Sequence, residues 1–193
     1  MSIEALLEAA ESELYETAVT DYFSPETCSI QPEGHPPQVM ADWYVTLDEG
    51  SIEVTEQGRG KLDEKYTIHA WVTLRAGLFA ADRRRDMYLA TNKRLTELER
   101  LVVRSIHGVE HLRRHANELL GISLEAQDGD TSARGGDGEY GSGFNWPLWY
   151  QGRTKTETKS AEWIGGSSPD ELFFVRQLAF YGGWRLQGLS AMT

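Results

Sequence analysis

The stretch from Asp82 to Leu120 limits what this chain can become more than any other. It opens Asp82-Arg83-Arg84-Arg85-Asp86 and closes Leu119-Leu120-Gly121. Between these ends Tyr88, Leu95, Leu98, Val102, Ile106, Val109, Leu112 and Leu119 recur at steps of three, four or seven, the apolar stripe of an amphipathic helix. Asp82 suits the N-cap and Gly121 the left-handed position past the C-terminal end. No proline interrupts the run. Gly108 is its weak point, costing about 1 kcal/mol against alanine in a helix interior. Such a helix must bury one face, and strand-like segments lie on both sides of it in the sequence.

Those flanking segments set the fold class. Residues 3–22 read as a first helix with Ile3, Leu6, Leu7, Ala10, Leu14, Ala18 and Tyr22 on one face, capped by Ser2 and ended by Ser24-Pro25. A connector over 24–38 carries Pro32, Gly34, Pro36 and Pro37. Strand signals start at Val39 and run to Val54, with Asp48-Glu49-Gly50-Ser51 as a bend or bulge. Gln57-Gly58-Arg59-Gly60 reads as a turn. Lys65 to Arg75 alternates, with Tyr66, Ile68, Ala70, Val72 and Leu74 facing one way, so the two strands predict an antiparallel hairpin. Gly152 to Trp163 reads as an exposed strand. Leu172 to Phe180 is apolar on both faces, which predicts a central strand or one covered by a neighbouring subunit. Gly182-Gly183 breaks or bends it, and Trp184-Arg185-Leu186 continue it. The expected fold is α+β: a mostly antiparallel sheet with an N-terminal helix and one long helix packed on one face. With 193 residues, one domain over 1–193 is expected, with a Gly-rich loop or insertion at 125–145.

Charge narrows the function classes. Residues 1–64 hold fifteen Asp and Glu against two Lys and Arg, while the remainder is nearly balanced, for a net charge of −11. A chain this acidic is poorly suited to clamping DNA or an anionic membrane, which needs clustered cations. No run is long enough to span a bilayer, and Met1-Ser2-Ile3-Glu4 lacks the basic start of a signal peptide. Cys28 is the only cysteine, so the chain has neither an intrachain disulfide nor a cysteine zinc cluster.

Four features invite chemical readings. His107, His111 and His115 fall on one helical face, and His107-Gly108-Val109-Glu110-His111 matches H-x-x-E-H, the pattern of two zinc-binding imidazoles with a proton-transferring glutamate. A catalytic zinc needs a third ligand, and no downstream helix offers a placed glutamate; the competing expectation is a polar helix face. Asp128, Asp130, Ser132 and Glu139 sit at positions 1, 3, 5 and 12 of an EF-hand-like loop, but Ala133 stands where the sharp turn needs glycine. Arg83-Arg84-Arg85, Lys93, Arg94, Arg100 and Arg104 make the long helix basic, and pairing with the acidic N-terminal half of another copy is favoured over DNA. Trp146, Trp149, Trp163 and Trp184, with Phe173, Phe174, Phe180 and Tyr181, give the last quarter more aromatic surface than two strands readily hide.

An acidic first helix, a proline-bearing connector, a strand pair ending Tyr66-Thr67-Ile68-His69-Ala70-Trp71-Val72-Thr73-Leu74, a helix and a terminal strand pair together resemble the tail-terminator proteins of the long-tailed bacteriophage neck. In that family the segment from Pro37 to Leu47 corresponds to the first strand and Asp82–Leu120 to the helix on the sheet. The long helix and the 125–145 insertion depart from the family's plan. The likeness is one of layout over most of the chain, so no catalytic, cofactor-binding or metal-binding residue carries over. It implies a structural virion protein, assembled in the host cytoplasm into a ring of usually about six copies. Its partners would be itself, the tail tube protein and the head–tail connector, with DNA passing through without specific binding. The alternatives are a small metal-dependent hydrolase using His107 and His111, or a monomeric adaptor using the 125–145 loop.

Overall fold

The structure, a computed structural model, describes residues 2–16, 23–32, 35, 42–56, 62–75, 84–121, 143–160 and 172–186. The elements are α1 (Ser2–Glu16), β1 (Cys28–Ile30), β2 (Trp43–Glu56), β3 (Leu62–Arg75), α2 (Arg84–Ile106), α3 (Glu110–Leu119), β4 (Gly143–Arg153), β5 (Glu157–Ser160) and β6 (Leu172–Leu186). The fold is α+β, as expected. The strand order is β1-β2-β3-β6-β4, with β5 also paired to β6. Only β1 on β2 is parallel. All other pairs are antiparallel.

Alternation in β3 decides which face is core. Tyr66, Ile68, Ala70, Val72 and Leu74 are buried. Their β6 partners are Gly182, Phe180, Leu178, Arg176 and Phe174, so this row carries the helix layer. The buried stripe Ile3, Leu6, Leu7, Ala10 and Leu14 of α1 and the stripe Leu95, Leu98, Val102 and Ile106 of α2 join it in one core. Gly182 sits beneath α1: an added Cβ would lie 3.2 Å from Leu148 and 3.5 Å from Leu6. The opposite face also holds buried side chains, namely Tyr44, Thr46, Thr73, Phe173 and Val175. Strand β6 is therefore central and apolar on both faces, flanked by β3 and by β4 and β5, and it runs unbroken through Gly182-Gly183.

Three expectations are corrected. The long helix is two: α2 ends at Ile106, Gly108 takes a φ of 69°, and α3 begins at Glu110. The C-terminal polar segment is also two pieces, β4 and β5, lying end to end along β6. Between them the Thr154 amide donates to the Gln177 carbonyl at 2.9 Å. The connector contains a short strand, β1, pinned by Val45 N–H donating to Thr27 O and Gln31 N–H donating to Leu47 O. The expected bulge is present, between Glu49 and Ile52. The first helix is described to Glu16, and the Gln57–Gly60 turn lies outside the described residues.

Candidate functional site

A polar cluster is built into the core where α2 crosses β6. Arg176 falls on the helix-bearing row of β6, between Phe174 and Leu178, and its side chain is 3% exposed. A buried guanidinium needs a full set of acceptors. Its Nε donates to Thr156 Oγ1 at 2.9 Å, Nη1 to Thr96 Oγ1 at 3.0 Å and to Glu99 Oε2 at 3.1 Å, and Nη2 to Asn92 Oδ1 at 2.7 Å. Asn92, Thr96 and Glu99 are successive turns of one α2 face, which is why one helix can supply three of the acceptors. Glu99 also holds Arg153 Nε at 3.2 Å and accepts from the Tyr150 hydroxyl at 3.2 Å. Burial lowers the Arg176 pKa, Arg153 lowers it further, and Glu99 opposes both. Burial raises that of Tyr150, with the Glu99 charge acting in the same direction. Beside the cluster a cleft of about 450 Å³ opens between α2 and β5, lined by Tyr88, Asn92, Arg153, Lys155 and Phe174 among others.

The H-x-x-E-H segment does not form one helical face. His107 and Gly108 lie in the break between α2 and α3, and His111 lies in α3. The break sits against the outer edge of β4. Gly108 N–H donates to Leu148 O at 2.7 Å, and Tyr150 N–H donates to His107 Nδ1 at 3.0 Å. The turn thus occupies edge groups that another strand could otherwise pair with. The His107 ring packs edge-on against Trp149 with centroids 5.2 Å apart. His111 turns instead to Glu13 of α1, Nδ1 to Oε2 at 3.2 Å, and stands 6.5 Å from the His115 ring. Among the described residues no three His, Cys, Asp or Glu side chains are grouped to hold a metal ion.

On the helix-free face Asp48 accepts from Trp71 Nε1 at 3.0 Å and lies 3.6 Å from His69 Nδ1. The bulge brings Gly50 against these strands so closely that a Cβ there would meet Thr67 O at 2.8 Å and His69 Cε1 at 2.9 Å. Cys28 is fully buried, burial pushes its thiol pKa up, and its carbonyl accepts from the Tyr15 hydroxyl at 2.7 Å. A buried, protonated thiol is a poor nucleophile.

Past the bulge the sheet outruns its helices. Ser51 to Thr55 are all exposed, and Ile52 and Val54 are 52% and 58% exposed although they pair with β3. The aromatic surplus is smaller than the sequence suggests, because Phe173 and Phe180 are fully buried within the chain; Trp149 keeps 40% exposure. Trp163, the acidic positions 128–139 and Arg83 lie outside the described residues. Neither the Arg176 cluster nor the capping of the β4 edge by the α2–α3 turn follows from periodicity. An arginine between Phe174 and Leu178 on a core-facing row is the signal that could have exposed the first. No helix is long and apolar enough to cross a membrane among the described residues. No protein-family model matches the chain, and no curated protein is similar to it.

Proposed function

We propose that this chain is a structural subunit of a bacteriophage neck, a tail terminator that assembles with copies of itself into a ring. The ring closes the end of the tail tube and offers its other side to the head connector. The observation that carries the reading is the far end of β2, where Ile52 and Val54 stay exposed although they pair with β3, uncovered by any described helix. Exposed apolar side chains on an ordered strand of the sheet suit burial against a neighbouring subunit. A sheet with helices on one face agrees with the resemblance in layout. Each subunit blocks addition of further tube subunits and supplies part of a docking surface. The acidic surplus of residues 1–64 would keep DNA from adhering if it lines the channel.

The test is to disrupt this chain's reading frame in the phage that encodes it and examine the lysate by electron microscopy. Unjoined heads and tails of irregular, excessive length are expected, and purified protein should restore joining. Joined particles with tails of normal length would overturn the reading.

A further inference from the structure

Exposed charge on this molecule is weighted by sign toward two surfaces on opposite edges of the sheet. At about 100° per residue, Arg85, Leu89, Lys93, Arg100 and Arg104 share the outward stripe of α2, opposite its buried stripe. All five are exposed, the four cations make no ion pair among the described residues, and Asp86 is the one exposed acid of α2 on that stripe. Cations that face the body behave differently: Arg94 pairs with Glu97, and Arg153 and Arg176 with Glu99. Like charges at helical spacing repel, so a four-to-one excess of cations is costly on a face meant only for water. Arg85 in the first turn also opposes the helix dipole.

The complementary surface lies at the other end. A groove of about 470 Å³ runs between the start of α1 and the β1–β2 edge, with Ile3, Leu7, Ile30 and Pro32 as its apolar lining and Glu4 and Glu49 at its rim. Glu4, Glu8 and Glu16 continue along α1 as an exposed acidic stripe. One surface is thus an apolar knob, Leu89 at 53% exposure, set between two cations one helical turn away on either side. The other is an apolar trough edged by carboxylates.

The first half of α2 lies over β6 and β5, since Asn92 and Thr96 meet Arg176 and Asn92 meets Thr156. The trough lies beyond β2. A contact between two such distant patches is head-to-tail, the kind that closes into a ring. We infer that Leu89 of one copy seats in the α1–β1 trough of the next, with Arg85 and Lys93 on the carboxylates at its rim. This rests on the ring reading and names its subunit contact.

Two chains test it. In the first, Glu4→Lys, Glu8→Lys and Glu49→Lys reverse the trough; in the second, Arg85→Glu and Lys93→Glu reverse the knob. Mass in solution is measured for each alone and for an equimolar mixture, with circular dichroism as the check on folding. Each chain alone should lose self-affinity by on the order of 100-fold or more, because its two surfaces now carry like charge. The mixture should assemble, because alternating copies restore both junctions, and this rescue also excludes misfolding as the cause. Either chain assembling alone like the wild type, or a folded mixture that stays monomeric, overturns the contact. A wild-type chain that is monomeric at every concentration overturns the ring reading and the contact with it. A mixture that stops at a dimer upholds the contact and overturns the ring. The substitution Leu89→Asp should abolish assembly without lowering the melting temperature; unchanged assembly would also overturn the contact.

Discussion

Glu99 and Arg176 form one buried pair, yet their removal should not be equally costly. If Arg176 is changed to methionine, Glu99 keeps Arg153 at 3.2 Å and the Tyr150 hydroxyl, and its side chain is 13% exposed. Asn92 Oδ1 keeps the Thr156 hydroxyl at 3.4 Å. Some packing is retained by the methionine, so the loss should be about 2 kcal/mol, the scale of a few weakened hydrogen bonds. If Glu99 is changed to glutamine, Arg176 loses the one carboxylate that pairs with it among the described residues, in a site 3% exposed, and Arg153 is left nearby with the same sign. An uncompensated buried charge costs about 3–5 kcal/mol. The Glu99→Gln variant should therefore be the less stable by about 2 kcal/mol, a shift of about 1 M in the urea midpoint. Adding Arg176→Met to Glu99→Gln removes the stranded cation, so the double variant should be more stable than Glu99→Gln alone, a strong departure from additivity. Urea unfolding followed by circular dichroism reads all three. Equal losses for the two single variants, or an additive double variant, would show that Glu99 does not compensate a buried Arg176 charge.

Other expectations follow from single contacts. Gly50→Ala forces a Cβ onto the Thr67 carbonyl oxygen at 2.8 Å and should cost about 1–3 kcal/mol in thermal or urea unfolding; unchanged stability would show that the bulge is looser than described. His107→Ala removes the acceptor of the Tyr150 amide, so exchange of that amide should quicken roughly fivefold, for about 1 kcal/mol. Unaltered protection there would deny the edge cap. Burial pushes the Tyr44 phenol from 10.0 up to about 12, so its neutral form is favoured by folding. That contribution is whole below pH 10 and is lost as pH rises from 10 to 12, on the order of a few kcal/mol. Cys28 and Tyr15 are raised by burial as well, so the alkaline decline should begin near pH 9. Stability that holds flat from pH 9 to 12 would contradict it.

Period alone revealed the layers of this fold. The apolar rows of β3, α1 and α2 are the rows that meet in the core, and the two-faced apolarity of β6 marked it as central. Where the reading failed, the deciding interaction was distant in sequence. The apolar stripe runs through Gly108, and nothing local says that its amide and the His107 ring are drawn to Leu148 and Tyr150 on an edge strand. The break between β4 and β5 is a matter of what β6 offers at Gln177. Strand β1 has three residues, too few for any period, and exists because β2 has an open edge. Arg176 gives no local signal, because a single charge in an apolar strand looks like a solvated position until its row is known to face α2. The histidine series was visible and chemically suggestive, but the helix break sends His107 and His111 to different partners.

Whether copies of this chain complete one another is read by native mass spectrometry of the purified protein, paired with electron microscopy. A closed ring of about six copies is expected. A compact monomer that stays single at high concentration would contradict it.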